Sequence, residues 1–133
     1  MQANDLEKAL VERFLDDPNL KPVRKSPDWS AIGVRSRNMG VVGFLTEFER
    51  SPELKLFDAQ ASLRWGDIGA RLNATRTETG YLVYVDGGYI TAVEGYTYSG
   101  EKWPTQVESI EWYELKEGAE LQNSPKVRKP NQG

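Results

Sequence analysis

Histidine and cysteine are both absent from the 133 residues. Without cysteine there is no disulfide, no thiolate nucleophile and no thiolate metal site. Histidine is the commonest general base and transition-metal ligand, so Ser-His-Asp triads, Cys-His dyads and the usual zinc sites are excluded as well. Carboxylate, lysine, arginine, serine and tyrosine chemistry remains open. The chain has no P-loop pattern, no EF-hand spacing and no G-x-S-x-G elbow. No run approaches the roughly 20 apolar residues of a membrane helix. The charged N-terminus MQANDLEKALVERF lacks an apolar core of signal-peptide length. These absences lead us to expect a cytoplasmic protein that is not an enzyme and carries neither cofactor nor metal.

What is present fits one small domain. The formal charge is −3, from 17 basic and 20 acidic residues. The last 18 residues, from Lys116, hold four basic and two acidic groups, which leaves 13 basic and 18 acidic in the body. An acidic body argues against a dedicated nucleic-acid binder and is compatible with a basic protein partner. Residues 1–115 read as the domain. Residues 116–133 are polar, with Pro125 and Pro130, and read as a flexible tail.

The spacing predicts one helix at the start. Asn4 and Glu7 form a capping-box pattern, Leu6, Leu10 and Phe14 recur every fourth residue, and Pro18 stops the run. Prolines at 18, 22 and 27 mark a connecting segment, in which Trp29 is expected to pack. Strands are expected from Ile32 to Arg37, after a turn at Asn38-Met39-Gly40 from Val41 to Phe48, and from Tyr81 to Val85, Tyr89 to Thr97 and Val107 to Leu115. Phe57 to Trp65 and Ile68 to Ala74 alternate by two about Gly66-Asp67, which reads as a hairpin with its small inner alanines facing the helix. Asp86-Gly87-Gly88 reads as a second hairpin turn. With no crossover helices, the fold expected is α+β: one N-terminal helix packed on a curved, mainly antiparallel sheet of about five to seven strands.

Two segments carry a resemblance. Arg37-Asn38-Met39-Gly40-Val41-Val42-Gly43-Phe44-Leu45-Thr46 is similar to an R-x-x-G-V-G-F-x-T signature, with one residue more at Val41-Val42. Asp86-Gly87-Gly88-Tyr89-Ile90, Val93-Glu94-Gly95-Tyr96-Thr97-Tyr98 and Trp103-Pro104 together resemble a D-G-x-[I/L]…E-G-Y-T-Y…W-P signature. Both belong to a family of small bacterial proteins, some of which accompany polymorphic or contact-dependent toxin systems as immunity proteins. The resemblance spans roughly residues 6 to 115. It implies a bacterial, cytosolic, antitoxin-type binder and supplies no catalytic residues.

Two groups of candidate residues follow. Glu108, Glu111, Trp112, Tyr113 and Glu114 mix charge and aromatic rings on the last strand. That pattern suits either a surface that steers and buries a basic toxin domain, or an edge whose charges prevent aggregation. Glu94, with Tyr96, Tyr98 and Trp103, could line a pocket between helix and sheet in which the carboxylate acts as acid or base. The plainer readings are an outward-facing Glu94 and a Trp103 that plugs the end of the sheet beside Pro104. Arg35 and Arg37 could hold an anion, although an ordinary solvated strand face or an internal salt bridge is the simpler expectation. The reading favoured is an immunity protein that occludes a toxin's active site. The alternative is a small-molecule binder or enzyme using the helix–sheet pocket.

Overall fold

A computed structural model describes residues 1–23, 26–66 and 68–114. The helix α1 runs Asp5–Leu15. The Asn4 side chain accepts from Glu7 N–H, and the Glu7 carboxylate accepts from Asn4 N–H, both at 2.8 Å. Such a cap is worth about 0.5–2 kcal/mol. Leu6, Leu10, Val11, Phe14 and Leu15 are the buried stripe. No helix among the described residues is long and apolar enough to cross a membrane.

Seven strands follow: β1 (Val34–Met39), β2 (Gly43–Phe48), β3 (Ser62–Trp65), β4 (Ile68–Leu72), β5 (Thr77–Asp86), β6 (Tyr89–Thr97) and β7 (Ile110–Glu114). They form one antiparallel sheet ordered β1-β2-β6-β5-β4-β7, with β3 also on β5. The α+β architecture is therefore the one expected. At the β5–β6 hairpin Asp86 pairs with Tyr89, and the two intervening residues have positive φ, Gly87 at 60° and Gly88 at 85°. Only glycine takes both positions of such a turn without strain.

The expected hairpin about Gly66-Asp67 is not formed. β3 and β4 run in the same direction along one edge of β5, with Trp65 opposite Val83 and Gly69 opposite Gly80. Three residues separate Trp65 from Gly69 and two separate Val83 from Gly80, so the register on β5 shifts by one between β3 and β4; Asp67 itself lies outside the described residues. The reversal comes later, after Leu72, where Asn73 (φ 66°) and Arg76 (φ 55°) adopt the left-handed conformation. Phe57 to Ala61 is not strand either: Leu56 and Phe57 N–H both donate to the Gly88 carbonyl. β1 extends through Met39, into the expected turn, and β7 starts only at Ile110 because the Asn73 side chain engages Glu108 and Ser109 N–H first. The expected flexible tail, 116–133, lies outside the described residues.

The helix lies across β5 and β6. Its Phe14 reaches Phe57 and Trp65, with ring centroids 5.6 and 5.2 Å away. Ala70 is fully buried on this face, as the small-residue pattern suggested, whereas Ala74 is exposed in the turn. Glu7 ties helix to sheet. Its side chain is fully buried and receives Arg37 Nε and Nη2, each at 2.7 Å, together with the Thr46 hydroxyl and Asn4 N–H. Four donors saturate the carboxylate, which is what makes a buried charge tolerable. Arg37 is thus the internal salt bridge expected, and its hydrogen bond to Glu7 raises its pKa further.

A second packing nexus joins β2 to β6. Gly95 accommodates the Phe44 ring, since a Cβ there would lie 2.5 Å from Phe44 Cε1. Trp103 packs edge-on to Phe44 and Tyr81, at 5.2 and 6.2 Å, and its backbone N–H donates to the Val41 carbonyl at 2.8 Å. A Cβ on Gly43 would collide with the Gly95 carbonyl oxygen and lie 3.0 Å from Tyr96 Cα, both backbone atoms of the paired strand. Gly43→Ala is therefore expected to cost about 1–3 kcal/mol, the usual range for overpacking. Chemical denaturation would read this directly, and an unchanged midpoint would mean that β2 and β6 are not so close.

Candidate functional site

One face of the sheet is covered by α1. Among the described residues no helix or strand packs on the other. Period-two alternation puts Leu45, Arg64, Arg71, Glu78, Leu82, Tyr84, Glu94, Tyr96, Tyr98, Glu111 and Tyr113 there. Of these Arg64, Tyr98 and Glu111 are exposed and the others half-buried.

Tyrosine rings lie over glycines on this open face. Gly43, Tyr96, Gly80, Gly69 and Tyr113 are successive partners across five strands. A Cβ on Gly80 would lie 2.8 Å from Tyr96 Cζ and 2.7 Å from the Tyr98 hydroxyl, and one on Gly69 would lie 2.7 Å from Tyr113 Cζ. Gly80 and Gly69 each make room for a ring, which is a recognised reason for glycine inside a strand. Tyr96 and Tyr98 meet edge to face at 5.7 Å.

Carboxylates and guanidinium groups fix the rings. Tyr84 O–H donates to Glu94 at 2.6 Å, and Tyr113 O–H donates to Glu78 at 2.6 Å. Arg71 Nε donates to the other Glu78 oxygen at 2.8 Å while its guanidinium stacks 4.7 Å from the Tyr113 ring centre. Arg76 pairs with Glu111, and Arg35 with Glu47, each at 3.1 Å. Burial, followed by the Glu94 hydrogen bond, pushes the Tyr84 phenol up to about 12. Burial also raises Tyr96, Tyr98 and Tyr113. All four phenols therefore remain neutral hydrogen-bonding groups at neutral pH.

The two expected groups of residues are redistributed. Glu94, Tyr96 and Tyr98 lie on the open face, whereas Trp103 is buried on the helix side as the plug. The four do not share a pocket. On the last strand Glu111 and Tyr113 face outward, opposite Arg71 and Gly69, whereas Trp112 faces inward, 5.3 Å from the Tyr81 ring and capped by Arg13 at 5.5 Å. Glu108 precedes the strand, and Glu114 ends it beside Ile68. Arg64, Arg71, Glu78 and Tyr84 were missed in the sequence. The signal available was the in-strand glycines at 69 and 80, which mark positions where something large approaches the backbone.

Comparison of the chain with protein-family models, with curated proteins and with solved structures finds no match.

Proposed function

We propose that this chain is a protein-binding module whose open sheet face docks a partner, and that it acts as an immunity protein, occluding the active site of a bacterial toxin. The observation that carries the binding role is the uncovered, tyrosine-bearing sheet face itself. Tyrosine and arginine are enriched at interface hot spots, and rings already held by Glu78, Glu94 and Arg71 lose little freedom on docking. The toxin assignment rests on the resemblance of the Arg37–Thr46 and Asp86–Pro104 segments. The residues in question, Glu111 and Tyr113 together with Glu94, Tyr96 and Tyr98, would form one continuous surface.

The test is capture of a stoichiometric partner by the tagged full chain, followed by calorimetric titration of variants. Tyr98→Ala removes an exposed ring and is expected to weaken binding about tenfold or more, the scale of a hot-spot loss. Wild-type affinity in both Tyr98→Ala and Glu111→Lys would remove the open face as the docking site. Trp112→Ala is unsuitable here, because that ring packs in the core.

A second reading has its own observation. A cleft of about 310 Å³ opens at the N-terminal end of α1, over Leu6, Phe44, Trp103, Val107 and Ile110, with Arg37 among its walls. Its size and apolar floor suit a small ligand. Glu94, the acid or base first considered for such a pocket, is on the opposite face.

A further inference from the structure

We propose that the edge of β3 left unpaired among the described residues takes up an extended peptide of a partner protein by strand addition, with a basic side chain of that peptide entering a carboxylate-lined pocket beneath the edge. The inference stands apart from docking on the open face. It starts from an interruption in the sheet. The far edge of β4 is occupied by β7, whose last described pair is Ile68 with Glu114. β3 continues the line of β4 along β5, yet among the described residues no strand pairs with its far edge.

The main-chain direction along β3 follows from one bond. The Ala61 carbonyl accepts from Gly88 N–H, on the β5 side. Alternation then turns Leu63 and Trp65 toward β5, and leaves the N–H and C=O groups of Ser62 and Arg64 outward. Such a rail, unpaired among the described residues, is a template for another strand.

The chemistry of the occupant follows from what lies below the rail. A pocket of about 420 Å³ is walled by Arg13, Asp16, Asp17, Trp65, Ile68 and Glu114. It opens on the helix side, where Trp65 packs against Phe14. Among the described residues three carboxylates and one guanidinium line it, and that guanidinium lies over the Trp112 ring. Asp16 and Asp17 also stand at the C-terminal end of α1, the negative pole of the helix dipole, where anions are disfavoured and a cation is welcome. Asp17 is held in place by Trp65 Nε1–H, which donates to it at 2.7 Å. In an added strand, side chains beside Leu63 or Trp65 point toward this pocket and those beside Arg64 point to the open face. The matching peptide therefore alternates, basic toward the pocket and acidic beside Arg64.

The probe is a blocked peptide, TVKEKVT, titrated into the full chain and followed by amide NMR, with TVQEQVT as control. Saturable shifts at Ser62–Trp65 and across the end of α1 are expected, with the control binding at least about tenfold more weakly. Arg64→Pro removes an outward N–H at a position where an edge strand tolerates proline, so it is expected to abolish binding while leaving the circular dichroism unchanged. Asp16→Asn with Glu114→Gln, two side chains outside the core, is expected to reduce the preference for the lysine peptide. Equal binding of both peptides, or shifts confined to other strands, would overturn the proposal. So would slow hydrogen exchange of the Ser62 and Arg64 amides in the free protein, because the rail would then already be occupied by the chain itself.

Discussion

Glu7→Ala is expected to destabilise the protein by about 3–5 kcal/mol, the cost of removing one partner from a buried ion pair. The carboxylate is fully buried and satisfies Arg37 twice, the Thr46 hydroxyl and Asn4 N–H. Alanine leaves the guanidinium, whose side chain is 20% exposed, without its counter-charge under the helix. It also leaves the Thr46 hydroxyl without the acceptor it uses. The size of this loss is not the net worth of the pair. Changing the set together, Glu7→Leu with Arg37→Met and Thr46→Val, is expected to recover most of it, since an apolar replacement of similar volume avoids the desolvation cost. Urea denaturation of the two variants measures both. If Glu7→Ala costs less than about 1 kcal/mol, the range typical of exposed pairs, the carboxylate is not buried in this network.

Phe14→Ala is expected to cost a similar amount, about 3–5 kcal/mol, by deleting a ring from a filled core. Phe14 is fully buried and meets both Phe57 and Trp65, so it fixes the C-terminal half of α1 over the end of β3. The emission of Trp65 should also change in the folded state, because its ring loses a neighbour 5.2 Å away. Val23, 72% exposed, is the matched control, and Val23→Ala is expected to stay within about 0.5 kcal/mol. Near-equal midpoints for the two variants would mean that the helix does not dock through Phe14.

These two residues were not equally visible in the sequence. Phe14 was legible as the last member of a four-residue repeat. Glu7 was legible only as the far end of a capping box. Its pairing with Arg37 and Thr46 spans 30 and 39 positions, and no local pattern reports a contact of that range. Arg37 and Thr46 occur in one of the two signature segments, and Phe44, Gly95 and Trp103 are spread over both. All are accounted for here by packing or by the Glu7 network. The first signature is thus carried largely by residues that hold the fold, whereas Glu94, Tyr96 and Tyr98 of the second stand on the open face beside Arg71, Glu78 and Tyr84, which the signatures do not contain.

The sequence by itself determined the helix, its cap and its stop, the Asp86–Tyr89 hairpin, and the alternation that sorts each strand into two faces. All of these are set by interactions between residues close in the chain: side-chain caps, positive-φ glycines and the two-residue pleat. Only the tertiary structure decided that β3 and β4 lie in line along β5 rather than paired with each other, because a turn signal in the sequence does not say which strand lies opposite. Only the tertiary structure separated Trp112 and Trp103 from Glu94, Tyr96 and Tyr98, because whether a face is inner or outer depends on where the helix lands, and the helix lands where Glu7 meets Arg37 and Phe14 meets Trp65.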